Sequence, residues 1–203
     1  MTAIVDYGAG NLTSVKLAFD AIGVEAAVTS SPRDVAAADA VVFPGVGAAK
    51  SAMENLRATG LDRAVRGAAL SGRPFLGICL GMQILFERSG EDGGTECLGV
   101  LPGGAERFPD APGFKVPHMG WNDAEPCGGP GLPEARGEYY FVHSYYIPLC
   151  PFTAARTSYA GVEFSSAVRR GSLFAVQFHP EKSGRAGLAL LKDFASASGG
   201  AKC

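Results

Sequence analysis

The sequence predicts an α/β domain with a mostly parallel central sheet flanked by helices and additional antiparallel strands in the second half. In the first half, short apolar runs alternate with stretches in which apolar residues recur every three or four positions, as strands and covering helices do. In the second half, strand-like runs follow one another between Gly and Pro turns. The 203 residues, 47% hydrophobic and 19% charged, suit one domain with a substantial core, residues 1–203.

The first half begins with an apolar strand at residues 3–7. A turn at 8–11 leads into a helix, because Leu12, Val15 and Phe19 fall on one helical face. The other elements expected here are strands at 24–29, at 40–43 and ending at Cys79, with helices over 48–58 and 61–70.

The second half is expected to hold six strands and a closing helix. Leu188, Leu191 and Phe194 share one face of that helix, which spans 184–197 and would pack on the sheet. Residues 126–133 form a turn-rich loop that is too short to link two domains. The six strands are expected at 97–101, 105–108, 138–143, 152–157, 165–169 and 172–178.

Charge and cysteine content argue against several classes of protein. A net charge of −2 without a dense Lys/Arg cluster argues against binding to nucleic acid or to a membrane surface. With no run of about 18 apolar residues and no basic segment before an apolar one at the N-terminus, the expected location is cytoplasmic. Five irregularly spaced cysteines predict reduced thiols, with neither a disulfide framework nor a metal site, and no cofactor is expected.

The most informative stretch is Gly77-Ile78-Cys79-Leu80-Gly81, between an apolar strand and a helical pattern. Glycine on both sides of Cys79 provides the space that a sharp strand-to-helix turn needs. The start of the following helix would favour the thiolate of Cys79 over the thiol. A cysteine between two glycines is nevertheless structural about as often as it is nucleophilic, so this motif alone decides nothing.

His179 is the expected base for this nucleophile. It follows a strand at its carboxyl end, where catalytic groups collect in open α/β sheets. Glu181 comes two residues later, beyond the stiff Pro180, and would hold the imidazole in the useful tautomer. His-Pro-Glu alone is more often an ordinary turn, but Cys79 and His179 both end strands of the same predicted sheet, which favours a shared site.

Pro44-Gly45-Val46-Gly47 ends another strand of that sheet. Its two glycines would let backbone N–H groups turn toward a neighbouring site, although Pro-Gly is also common in simple turns. A thiolate that attacks an amide needs such donors for the oxyanion, so this segment is the candidate for them.

Residues 44–47, 77–83 and 178–183 resemble the class I (triad) glutamine amidotransferases, and the resemblance covers nearly the whole chain. It implies a flavodoxin-like α/β fold. The triad motifs are shared by amidotransferases that serve several pathways. Residues 6–12 and 116–122 further resemble the glutaminase subunits of imidazole glycerol phosphate synthase, which belongs to histidine biosynthesis.

This resemblance implies a reaction and a set of roles. Cys79 would attack the side-chain amide of glutamine, and His179 would protonate the departing ammonia and then activate the water that hydrolyses the glutamyl thioester. Glu181 would complete the triad. The oxyanion hole would use backbone N–H groups from Val46, Gly47 and Leu80, and the residues implied to bind glutamine are Gln83, Glu91, His143, Ser144 and Tyr145.

A partner is also implied, because ammonia must reach a second active site. The chain has no P-loop and too few strands for a (β/α)₈ barrel, which takes about 250 residues. By resemblance, the partner is the cyclase subunit of imidazole glycerol phosphate synthase, in a heterodimer. The implied interface contains Asn11, His118, Met119, Trp121, Asn122 and Lys182.

Other interpretations stay open at this level. Trp121 is as well explained as a core residue, and His118 as a buried structural imidazole. The chain could instead be the glutaminase subunit of another amidotransferase, a hydrolase that uses Cys79 on another substrate, or a non-catalytic regulatory module. Labelling of Cys79 by a glutamine-analogue electrophile would separate the last two from a glutaminase.

Overall fold

The first half of the chain alternates strands and helices as predicted. The computed structural model describes residues 1–8, 10–127 and 137–199; Ala9, residues 128–133 of the expected loop and Cys203 lie outside that part. The first-half elements are β1 (Thr2–Val5), α1 (Leu12–Ala21), β2 (Ala26–Thr29), α2 (Pro32–Ala37), β3 (Ala40–Gly45), α3 (Ala49–Thr59), α4 (Leu61–Leu70) and β4 (Phe75–Cys79).

The short helix α2 was not predicted, because six residues are too few to show a helical period. Its start carries standard signals all the same. The Ser31 side chain accepts a hydrogen bond from the Asp34 N–H, and Pro32 occupies the first helical turn.

The second half contains more strands than predicted. Its elements are α5 (Leu80–Gln83), β5 (Phe86–Ser89), β6 (Thr95–Glu96), β7 (Leu101–Arg107), β8 (His118–Pro126), β9 (Gly137–His143), β10 (Tyr145–Tyr146), β11 (Thr153–Tyr159), β12 (Val162–Arg170), β13 (Leu173–Val176) and α6 (Gly184–Gly199). The strand expected at 97–101 is wrong except for its last residue, because β7 begins at Leu101. The same strand includes residues 105–107 of the one expected at 105–108. Strand β8 was not predicted, because its Gly, Asn and Asp residues have low strand propensity. It is held by pairing with β9.

The main sheet has nine strands in the order β2-β1-β3-β4-β13-β12-β11-β8-β9. The first five are parallel and the last four continue the sheet in antiparallel pairs. A smaller sheet has the order β10-β7-β5-β6. This mixed sheet, with helices against it, confirms the predicted fold class.

Buried apolar residues form two clusters that follow the alternation of the parallel strands. Val41 and Phe43 lie in one cluster together with residues of α3 and α4, whereas Val42 lies in the other with residues of α1 and α6. Helices therefore cover both faces of the sheet, as buried parallel strands require. Among the described residues, no helix is both long and apolar enough to cross a membrane.

Three neighbouring parallel strands deliver the candidate site residues to one edge. Gly45 at the end of β3 is paired with Cys79 at the end of β4, and β13 lies on the other side of β4 with Val176 opposite Ile78. The antiparallel strands curl back to the same edge, because the Tyr140 carbonyl of β9 accepts a hydrogen bond from the His179 N–H at 2.9 Å. This edge is therefore enclosed on the side of β9.

Candidate active site

Cys79 occupies the strained turn that the sequence predicts. Its backbone has φ 54° and ψ −112°, a conformation that costs free energy for a residue with a Cβ and that presents the side chain at the top of the sheet. A Cβ on Gly81 would lie 2.0 Å from the Phe43 carbonyl oxygen, and one on Gly77 would lie 2.9 Å from the Cβ of Ala175. Both glycines are therefore required by close packing around the nucleophile.

The helix that follows Cys79 is shorter than expected. α5 has only four residues, so its dipole stabilises a negative charge on Cys79 less than that of a longer helix would. The charged partner of Cys79 is instead His179.

His179 and Glu181 form a buried pair. His179 Nδ1 lies 2.8 Å from Glu181 Oε1, and their side chains are 2% and 0% exposed. Because a carboxylate accepts, Nδ1 carries the hydrogen, and Nε2 has no hydrogen-bond partner among the residues that the structure describes. The Asn11 amide donates to the same Oε1, so this oxygen accepts two hydrogen bonds.

The surroundings of His179 favour the imidazolium. Burial alone lowers the pKa of His179, but the negative charge of Cys79 and then the Glu181 carboxylate outweigh it and raise the pKa to about 10. At neutral pH His179 is therefore an imidazolium, and it lies beside the Cys79 sulfur.

A pocket of about 390 Å³ opens over Cys79. Its lining includes all the residues expected to form the oxyanion hole and to bind glutamine: Val46, Gly47, Leu80, Gln83, Glu91, His143, Ser144 and Tyr145, together with Cys79 and His179. Pro117 and Val142 also line it and were not predicted. Residues that are far apart in the sequence are therefore brought to one cavity.

Residues 44–47, the segment expected to supply oxyanion donors, are packed tightly at one end and open at the other. A Cβ on Gly45 would lie 2.5 Å from the buried Tyr7 hydroxyl, whereas Gly47 has φ +90° and open space around it. Glu91 ties the pocket wall to this segment, because its Oε2 accepts a hydrogen bond from the Ala49 N–H at 2.7 Å. Burial, followed by the charge of Cys79, raises the pKa of Tyr7, so this unpredicted neighbour stays a neutral phenol.

Gln83 already uses both of its amide hydrogens. Its Nε2 donates to the Tyr145 carbonyl at 2.7 Å and to Gln177 Oε1 at 2.9 Å. Toward a ligand, Gln83 can therefore offer only its Oε1 acceptor, which suits an ammonium group better than a carboxylate.

The structure corrects the expected interface position of His118. Its side chain is buried, 2% exposed, and its ring stacks on Tyr159 and Phe141 with centroids 3.9 and 4.9 Å away. Its Nδ1 lies 3.1 Å from Nε2 of His143, whose Nδ1 lies 2.8 Å from the Tyr145 carbonyl. The alternative interpretation, a satisfied structural imidazole, is the one that the structure supports.

Both of these histidines are neutral. Burial lowers the pKa of His118 to about 4 and that of His143 to about 3, where His118 also contributes. The Asn122 amide lies 3.3 Å from His118 Nε2 and donates to the Ser158 carbonyl at 3.1 Å, so this half-buried side chain is also held within the domain. Asn11 likewise points its amide to Glu181 rather than to a partner surface.

The remaining residues that were expected at the interface are exposed. Met119 and Trp121 are 63% and 54% exposed, so the core interpretation of Trp121 is wrong. Lys182 Nζ lies 5.7 Å above the ring of Tyr140, which in turn meets Trp121 edge to face. We call Met119, Trp121, Tyr140 and Lys182 the β8–β9 patch.

The fold and the site together define a class of protein. The family model for class I glutamine amidotransferases matches residues 3–197, and the chain belongs to this family. A solved structure described as a glutamine amidotransferase superposes with a TM-score of 0.72 at 24% identity, covering 97% of this chain and 98% of that one. The structure of PurLQS from Thermotoga maritima gives a TM-score of 0.73 at 17% identity, covering 96% and 97%, so these two support the fold alone.

Closer relatives share one name. A protein of Methanothermobacter thermautotrophicus is 51% identical over 96% of this chain and 97% of its own length, and it is described as imidazole glycerol phosphate synthase subunit HisH. One from Moorella thermoacetica with the same description is 49% identical over 95% of this chain and 92% of its own length. Both identities extend over almost the full length of the chains compared.

Proposed function

We propose that the chain, as one glutamine amidotransferase domain over residues 1–203, is the glutaminase subunit of imidazole glycerol phosphate synthase. The observation that carries this is the buried His179–Glu181 pair beside Cys79, at a pocket whose walls hold every expected glutamine-binding residue. The product ammonia would pass to a cyclase subunit that makes imidazole glycerol phosphate and aminoimidazole carboxamide ribotide. A cytoplasmic location fits free thiols, which the four described cysteines are.

The reaction would proceed through a thioester. The Cys79 thiolate attacks the amide carbon of glutamine, and the oxyanion accepts hydrogen bonds from the backbone N–H of Leu80 and from the Val46–Gly47 segment. The C–N bond breaks as the amide nitrogen takes the Nε2 proton of His179 and leaves as ammonia. Water then gives a proton to His179 and attacks the thioester, which releases glutamate and restores the thiolate and the imidazolium.

The electrostatics of the pair explain how His179 serves both steps. The charge of Cys79 is the first contribution that raises the His179 pKa, and it disappears when the sulfur is acylated. The pKa of His179 then falls toward the value that burial favours, so the imidazole becomes a base for water. Glu181 and Asn11 keep its Nδ1 side fixed throughout.

The β8–β9 patch is the proposed contact with the cyclase. It combines exposed apolar and aromatic groups with one cation, a composition typical of interface anchors. It adjoins the glutamine pocket, because Val142 and His143 of β9 line that pocket and Val142 is paired with Met119 of the patch. A cyclase docked there would lie next to the source of ammonia.

The function is tested by glutamate release from glutamine, measured for the chain alone and with the cyclase subunit plus its nucleotide ligand. We expect turnover to rise when both are added, and a glutamine-analogue electrophile to label Cys79. Turnover that the cyclase does not stimulate would still support a glutaminase, but one that serves a different synthase. Labelling failure with intact cyclase binding would point to a regulatory module instead.

Replacing Trp121 by alanine is expected to weaken cyclase binding at least about tenfold, because buried aromatic anchors commonly carry that much of an interface. Calorimetry or fluorescence titration would measure the Kd. Turnover of the chain alone should stay within about twofold of the original.

The matched control is Leu70→Ala. Leu70 is 45% exposed but ends α4, at the edge of the sheet opposite Cys79. Its loss should leave the Kd unchanged. Equal effects of the two substitutions, or none from Trp121→Ala, would place the cyclase elsewhere.

A further inference from the structure

Gln177 is a fully buried amide beside Cys79 that the roles above leave unused. It directly follows β13 and precedes His179 by two residues, so an extended chain directs both side chains to the same side. Its Nε2 lies 3.6 Å from Cys79 Sγ, and its Oε1 accepts from Gln83 Nε2 at 2.9 Å. The side chain of Gln177 therefore joins the nucleophile to the pocket wall.

The direction of this amide is determined by its neighbours. The Tyr145 carbonyl can only accept, so Gln83 must present its NH₂ group there, at 2.7 Å. The same Nε2 then donates its second hydrogen to Gln177, which must answer with its oxygen. The NH₂ group of Gln177 is thus left facing the sulfur.

We propose that Gln177 is a further catalytic residue of this site, whose amide N–H donates to the Cys79 sulfur, and that Gln83 fixes the orientation of that amide. The proposal rests on the glutaminase function proposed above.

The two polar neighbours of Sγ favour opposite protonation states. The Val142 carbonyl, 3.9 Å away, can pair only with a thiol, because it has no hydrogen to give. The Gln177 N–H can pair with a thiolate, and hydrogen bonds to a charged partner are the stronger kind. When water breaks the thioester and the electron pair of the C–S bond returns to sulfur, this donor is already in position.

The sharpest test is Gln177→Glu in the full chain. It keeps the oxygen that Gln83 needs and replaces the NH₂ group that faces sulfur by a carboxylate oxygen. Because the charge of that carboxylate would by itself disfavour a thiolate, the uncharged Gln177→Met is measured beside it. We expect the pH at which iodoacetamide alkylation of Cys79 reaches half its maximum to rise by about one unit or more, since a charge-assisted hydrogen bond is commonly worth at least a tenfold equilibrium change. Alkylation is quantified on the Cys79 peptide by mass spectrometry.

Turnover provides a second readout. With the cyclase present, kcat should fall about tenfold or more while KM for glutamine changes less than about threefold, because Gln177 does not line the pocket. Gln177→Met adds no charge, should shift both readouts in the same direction, and keeps the test valid if the Glu variant fails to fold. A shift in a folded Glu variant without one in a folded Met variant would show charge repulsion alone and would overturn the proposal. Ser166→Ala is the matched control, because this fully buried hydroxyl has no hydrogen-bond partner among the described residues and its carbonyl, which accepts from the Gln177 N–H, is retained.

An alkylation profile and kcat that match the unaltered chain in a folded Glu or Met variant would overturn the proposal. An equal change in Ser166→Ala would also do so, because it would show a packing effect. If the unaltered chain releases no glutamate but the alkylation profile still shifts, the proposed function fails while the role of Gln177 at sulfur stands.

Discussion

A chain in which Cys79 is replaced by alanine is expected to release no measurable glutamate, with or without the cyclase and its ligand. Loss of the nucleophile of a triad costs about a millionfold in turnover, because the remaining groups have no atom to assist. The buried His179–Glu181 pair would persist, but the charge that raises the His179 pKa would be absent. An enzyme-coupled assay that follows glutamate release over hours would measure the loss.

Cys127→Ala is the matched control for this substitution. Cys127 is a free, exposed cysteine that does not line the pocket, so its removal should leave turnover unchanged. Turnover of Cys79→Ala within a hundredfold of the unaltered chain would exclude a thioester on this residue.

Adding one methyl group at Gly81 is expected to destabilise the fold by about 3 kcal/mol or more. The Cβ of Gly81→Ala would lie 2.0 Å from the Phe43 carbonyl oxygen and 3.0 Å from its carbon, and both atoms belong to the central strand β3. Such a backbone contact is relieved only by moving β3 away from the Cys79 turn, and overpacking of this kind costs 1–3 kcal/mol even where side chains can adjust. Urea unfolding would show a lower midpoint.

Gly67→Ala is expected to have the opposite effect on stability. Gly67 lies within α4 and a Cβ there would have nothing within 4 Å. Alanine should raise the free energy of unfolding by about 0.5–1 kcal/mol, because it is the better helix former. If Gly81→Ala unfolded at the same urea concentration as Gly67→Ala, the close approach of α5 to β3 at Phe43 would be wrong.

Apolar runs and periodicity predicted the elements with regular burial. The strand ending at Cys79 is buried on both faces and is a nearly continuous apolar run, whereas helix α4 buries one face and has apolar residues at helical spacing. Strand β8 could not be predicted in this way, because its outward residues include Met119 and Trp121, and its inward residues include His118 and Asn122. Its conformation depends on pairing with β9, which no local pattern records.

The site residues also divide into those that a local sequence pattern predicts and those that only the fold brings together. Cys79, His179 and Glu181 were predictable because the chemistry needs them beside glycine and proline at strand ends. Gln177 has one sequence signal, its position two residues before His179 in an extended segment, but its bond to Gln83 joins residues 94 positions apart. The bond between Asn11 and Glu181 spans 170 positions, so its role in the triad needed the fold.

The hydrogen bonds that run from Asn122 through His118 and His143 to the Tyr145 carbonyl all donate in the same direction. Because the last acceptor is a carbonyl, His143 carries its hydrogen on Nδ1, His118 must donate from its own Nδ1, and Asn122 must donate to His118 Nε2. Turning the Asn122 amide over would force both imidazoles into the other tautomer and set a bare nitrogen against the Tyr145 oxygen. Strand β8, which carries Asn122 and His118, is therefore linked to the Tyr145 carbonyl, which orients Gln83. The proton positions along this link can only change together.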